Sequence, residues 1–163
     1  MVGQHVTQVY YKGSTEISQC ASIHEVDQAV VISTESTTTT VEWRIDNFVE
    51  FLSVTDSADG AATTAINDAV EMTQGPPWSQ LLGSAVTGFG VATQPSEAGD
   101  VLLWALRMDF GSGASVVVAL GDLQDAAPRY QPDSLLVISD PEMARYYEVL
   151  GATESAWGRD LHW

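Results

Sequence analysis

Between Val101 and Phe110 the chain reads VLLWALRMDF, and its large apolar side chains recur at every second position. Leu102, Trp104, Leu106, Met108 and Phe110 alternate with Leu103, Ala105, Arg107 and Asp109. A period of two puts each set on one face of an extended chain, so this segment is predicted as a strand with a strongly apolar face. Ser115–Leu120, SVVVAL, has the β-branched composition of a second strand. The glycines of GSGA between them suit a tight turn, which makes the pair a hairpin. Thr40–Asp46 alternates equally cleanly, with Val41, Trp43 and Ile45 on one face, and SLLVIS at residues 134–139 reads as a buried strand.

Other segments carry mixed signals. In the first 20 residues Val6, Val9, Tyr10 and Ile17 surround a break at Lys12–Ser14, the pattern of an opening hairpin. Ser22 and Glu25 have capping-box spacing and predict a helix carrying Val26, Ala29 and Val30 on one face. The β-branched runs Val30–Ile32 and Thr37–Val41 cut it short in favour of strands. NFVEFLSV, residues 47–54, fits either a continued strand or a helical turn. PPWSQLLG, residues 76–83, reads as a short helix closed by Gly83, and Ala85–Thr93 as a strand in which Gly88 and Gly90 mark a bulge or close approach. Asp140 as N-cap, Pro141 in the first turn, Glu142 and Gly151 predict a helix near the C-terminus. Residues 55–75 are small and polar, the composition of a flexible surface loop with one helical turn around Ile66–Met72. The expected architecture is one globular domain, residues 1–163, of the α+β class: a mostly antiparallel sheet of hairpins with two or three short helices packed on it.

Composition is compatible with an ordinary folded core: 45% of 163 residues are apolar and 17% charged. The charge is lopsided, with 22 acids against 6 bases for a net −16. Lys12 is the only lysine, and no lysine or arginine falls between Arg44 and Arg107. Phosphate backbones and anionic membranes are held by Lys and Arg, so nucleic acid and membrane surfaces are poor partners for this chain. A basic protein is the complementary one. Cys20 stands alone, which excludes an internal disulfide, and the first residues lack the basic and apolar regions of a secretory signal. A soluble protein of the reducing cytoplasm is the expectation.

Candidate chemistry is thin. DFGSGAS, residues 109–115, resembles a glycine-rich phosphate loop by eye, but a dinucleotide fingerprint from Gly111 needs a glycine where Val116 stands, and no G-K-[ST] occurs. The kinase catalytic loop H-R-D-x-x-x-x-N is missing as well. Residues 55–66 have Gly60 at the sixth position of a calcium loop, yet Thr55 and Ile66 occupy its first and twelfth positions, where carboxylates are needed. His5, His24 and His162 show no metal-ligand spacing, His24 beside Glu25 reads as a surface pair, and Cys20 has no catalytic partner. No cofactor is implied. Trp43, Trp78 and Trp104 sit on apolar faces and are expected in the core.

The function expected from these features is a small, acidic, non-enzymatic protein-binding domain. An immunity-protein or antitoxin-like inhibitor of a basic protein has this size and charge. Its candidate partner contacts are the aromatic anchors Trp157 and Trp163 and the acids Asp56, Asp59, Asp68 and Glu71. The competing expectation is a small-molecule-binding or enzymatic domain with an acidic, tryptophan-lined pocket where one of the histidines meets carboxylates. A third is a subunit that dimerises through SVVVAL as an exposed edge strand.

Overall fold

The computed structural model describes residues 1–17, 22–58, 68–95, 99, 101–125, 127–131 and 133–147. Its first structural unit is one long ribbon. β1 (Val6–Lys12) pairs with β4 (Ala29–Thr34), and β2 (Thr15–Ile17) with β3 (Ile23–Val26), and past a bulge between Val6 and Gln8 one register runs on through both pairs: Tyr11 opposite Val30, Lys12 opposite Ala29, Thr15 opposite Val26. The break at Lys12–Ser14 is therefore a bend within one long strand, and the hairpin expected there does not form. Both strands of the ribbon bend together at Gly13 and Asp27, which sends β1 and β4 into one sheet and β2 and β3 into another. Strands that change sheet at a bend form the corner of a β-sandwich.

The first sheet has the order β6-β5-β4-β1-β7, completed by β5 (Thr37–Asp46), β6 (Val49–Ala58) and β7 (Ala69–Glu71). The second has the order β2-β3-β13-β10-β9-β8, with β8 (Val86–Pro95), β9 (Val101–Phe110), β10 (Ser115–Leu120) and β13 (Leu135–Ile138). β11 (Asp122–Gln124) and β12 (Ala127–Arg129) form a separate small hairpin, and every strand pairing is antiparallel. At the start of β1 and β8 the Val86 N–H donates to the Gln4 carbonyl, Gly3 N–H to the Val86 carbonyl and Gly83 N–H to the Val6 carbonyl, closing the sandwich along a second side.

The expected α+β class is wrong: the chain is nearly all β. The segment after Ser22 is β3, because alternation of inward His24 and Val26 and pairing with β13 outweigh a local capping signal. Trp78–Gln80 is a lone 3-10 turn, and Ala69–Glu71, expected to be helical, is β7. Among the described residues one α-helix remains, α1 (Pro141–Tyr146), with the anticipated cap: the Asp140 carboxylate accepts from the backbone N–H groups of Glu142 and Met143, while Gly151 lies outside the described residues. The predicted β9–β10 hairpin forms with Ser115 opposite Asp109, and Gly113 takes the positive φ of 83° that its turn requires. β10 lies between β9 and β13, so SVVVAL is a central strand and offers no edge for dimerisation. β8 bulges between Val86 and Gly88 as its glycines suggested, and Gly90 lies opposite the buried Arg107, which donates to Asp109 at 3.0 Å. No helix among the described residues is long and apolar enough to cross a membrane.

Register assigns the core. Val9, Tyr11, Val30, Ile32 and Val41 of the first sheet face His24, Val26, Leu106, Met108, Val118 and Val137 of the second, all buried. Each apolar member stabilises the fold by about 1.5–3 kcal/mol relative to an exposed position. Trp104 belongs to the same face and meets Tyr147 at 5.6 Å between ring centroids, while the Tyr147 hydroxyl donates to the Leu120 carbonyl and closes that end of the core. Trp43 donates its ring N–H to the Asp27 carbonyl at 2.7 Å, pinning β5 to the corner.

At the corner itself Gly13 has φ 83°, and a Cβ there would stand 2.7 Å from the Cβ of Asp27. Gly13→Ala therefore meets both backbone strain and a clash, and is expected to destabilise the protein by about 2–4 kcal/mol in urea denaturation. A loss below about 0.5 kcal/mol would mean that the bend does not need glycine.

Candidate functional site

β5 and β6 pair from Thr37–Ala58 inward to Asp46–Val49, leaving Asn47 and Phe48 as a two-residue turn. Both have positive φ, 49° and 65°, as a type I′ turn demands. Asn accepts this conformation readily. A phenyl side chain does not, and the cost is about 1–2 kcal/mol. The ring gains nothing from the fold in return, because Phe48 is 94% exposed. Ile45 and Val49 beside it are also exposed, on opposite faces of the hairpin, so the tip overhangs the sandwich as an apolar prow.

Carboxylates frame it. Residues 42–50 hold Glu42, Asp46 and Glu50 against Arg44, three acids minus one base, for a net charge of −2. Arg44 folds back along the surface of its own strand, reaching the Glu42 carboxylate at 2.6 and 3.0 Å, which leaves Asp46 and Glu50 to set the local field. Glu50 lies near Tyr130, whose phenol is pushed up first by burial and then by that carboxylate. An exposed aromatic at the apex of a rigid turn, flanked by acids, can insert into an apolar socket bordered by basic groups.

A second feature lies where β10 begins. Ser115 and Val116 begin that strand, and with Ser112, Ser139, Gln80 and Pro77 they line a cleft of about 330 Å³. Beneath its wall runs a buried chain of hydrogen bonds. The Trp78 ring N–H donates to the Tyr11 hydroxyl at 2.6 Å, and that hydroxyl sits 3.0 Å from Nδ1 of His24. Trp can only donate, so the Tyr11 oxygen accepts from it while sharing a second hydrogen bond with Nδ1 of His24. Burial pushes the Tyr11 phenol far above its ordinary range, and the Trp78 hydrogen bond offsets only part of this, so the hydroxyl remains a donor. His24 is thus a fully buried member of the core rather than a surface partner of Glu25. No tryptophan and no carboxylate lines the cleft, unlike the pocket that a Trp-lined acidic site would need.

The residues singled out from sequence are dispersed. Trp157, Trp163 and Asp59 lie outside the described residues, as do His162 and Cys20. Asp56 is exposed on β6, where its carboxylate accepts from the Thr39 hydroxyl. Asp68 and Glu71 are exposed at β7, the opposite edge of the same five-stranded sheet, so these acids do not form one surface with Asp56. Trp78 and Trp104 are buried and Trp43 partly so. His5 meets a carboxylate, Glu35, at 2.7 Å, but on the surface; the His5 backbone N–H is the main cause holding that carboxyl below its usual range. Sequence reasoning missed Phe48. Its signal was the alternation on both sides of Asn47, obscured because phenylalanine stands where such turns usually carry glycine. Among the described residues no group of three His, Cys, Asp or Glu side chains is placed to hold a metal ion.

Comparison with known proteins yields no matching family model, curated protein or solved structure, so the functional reading rests on this geometry.

The buried network has a measurable consequence. Tyr11→Phe strips the Trp78 ring N–H of its acceptor and Nδ1 of His24 of its hydroxyl partner, and is expected to cost about 2–3 kcal/mol in urea denaturation. Tyr10→Phe, one residue away on the other face, should change stability by less than about 0.5 kcal/mol. Equal effects for the two variants would show that the network does not stabilise the fold.

Proposed function

We propose that this chain is a non-enzymatic protein-binding module whose β5–β6 tip docks on a basic partner. The observation that carries the reading is Phe48: an aromatic ring held in an unfavourable backbone conformation and exposed to water over nearly all its surface. Strain without an internal return points to a use outside the chain. Isolated exposed apolar residues are ordinary, but here Ile45 and Val49 extend the same prow.

Charge favours the class of partner. A body of net −16 speeds encounter with a positive surface and opposes association with a second copy of itself. On docking, Phe48 fills an apolar socket, a burial worth about 1.5–3 kcal/mol. Asp46 and Glu50 pair with the Lys or Arg groups around that socket and fix its orientation. An aromatic centre inside a charged rim is the usual layout of a binding hot spot. If the partner's basic patch is its own active site, the module is an inhibitor in the manner of an immunity protein or antitoxin, and the cytoplasm is the compartment that suits this role.

The test is photo-crosslinking in a lysate of the native cell, with benzoylphenylalanine at position 48 and, as control, at exposed Val70 on the far edge of the sheet. The expected result is an adduct at position 48 alone, with a protein of net positive charge, whose yield falls as salt rises from about 50 to 500 mM. No adduct, an acidic partner, equal labelling from position 70 or indifference to salt would each contradict the proposal.

A further inference from the structure

The cleft at the β9–β10 turn is uncharged: none of its lining residues carries a charge, in a chain of net −16. Its rim carries the hydroxyls of Ser22, Ser112, Ser115 and Ser139 and the Gln80 amide, over a floor that includes the buried Pro77 and Leu81. The floor is pre-formed. Leu81 N–H donates to the Trp78 carbonyl at 2.9 Å, and the Trp78 ring is tied to Tyr11, so this wall is anchored to the first sheet.

The lining selects against ions. In a phosphate loop the backbone N–H groups point at the anion. Here Gly111 N–H donates to the Ala85 carbonyl, Gly113 N–H to the Phe110 carbonyl and Ala114 N–H to the Ser112 hydroxyl, so the turn spends them internally. With no basic side chain in the lining, an anion would enter unpaired, and with no carboxylate a cation would too. The hydroxyls keep capacity for a guest. Ser139 donates to the Ser22 carbonyl and can still accept, Ser112 accepts from Ala114 and can still donate, and the Gln80 amide does both. Vicinal hydroxyls on an apolar ring match such a mixed rim over an apolar floor. A volume of about 330 Å³ lies at the small end of ligand clefts.

We propose that this cleft binds a neutral polyol of monosaccharide size, its hydroxyls bonded by Ser112, Ser115, Ser139 and Gln80 and its C–H face packed on Pro77 and Leu81. The site shares no residue with the hairpin tip and does not depend on it.

Saturation-transfer NMR and calorimetric titration of the full chain with glucose, galactose, mannose and myo-inositol, each to about 20 mM, test the proposal. At least one should bind saturably with a dissociation constant of about 0.1–10 mM. Ala114→Trp, which fills the cleft from an exposed turn position, should abolish that binding. The double variant Ser112→Ala, Gln80→Ala, with an unchanged melting temperature, should weaken it at least about fivefold. Absence of binding across the panel, undiminished binding in Ala114→Trp or in the double variant, or tighter binding of glucose 6-phosphate than of glucose would overturn it.

Discussion

Gly13 and Asp27 touch where the long ribbon bends, and both sheets take their placement from that contact. The bend lets one continuous register serve two sheets, so every inward residue on β1 and β4 fixes the face of its counterpart on β2 and β3. Backbone hydrogen bonds from Asp27 to Ser14 and from Gln28 to Lys12 carry the pairing through the corner, and Trp43 secures it from β5. Tyr11 and His24, one on each side of the bend, then meet across the core and recruit Trp78. A side chain at position 13 would push the strands apart at the corner where the ribbon passes from one sheet to the other. The two surface features stand on this frame: the overhanging hairpin near the corner, and the cleft whose wall Trp78 anchors.

The parts of the fold legible in the sequence are those whose local pattern and tertiary role agree. β9 and β10 alternate or run β-branched, their turn has glycine where φ must be positive, and the structure pairs them accordingly. The N-terminal half of α1 was equally plain, because Asp140 and Pro141 act within one turn of the chain. The misread segments are those where a local signal opposed a long-range one. Ser22 and Glu25 have capping-box spacing, yet β3 is decided by its partners β13 and β2, over 100 residues away in one case. Lys12–Ser14 interrupts the alternation as a hairpin turn would, and nothing local distinguishes a turn from a bend whose two arms both pair with a later segment.

The site was less legible than the fold. Net charge is visible in composition, but its distribution depends on topology, and Asp56 comes to lie four strands away from Glu71 across the first sheet. His24 beside Glu25 suggested a surface pair because neighbours on a strand look equivalent in sequence while facing opposite ways. DFGSGAS proved to be a turn, as its following β-branched run indicated. It also became a wall of the neutral cleft, a role visible only once Pro77, Leu81 and Ser139 are brought to it.

Phe48 separates what the fold requires from what the chain presents. Glycine is the residue best suited to its position, since it accepts positive φ without strain, offset in part by its greater freedom in the unfolded chain. Under the proposed function the phenyl ring is kept for contact with another molecule and contributes nothing to folding. Equilibrium urea denaturation of Phe48→Gly measures this without any knowledge of the partner. The predicted result is a protein more stable by about 0.5–1 kcal/mol, with an unchanged denaturant slope. A loss of more than about 1 kcal/mol would show that the ring packs within the fold, and would remove the reason for placing the binding site at the hairpin tip.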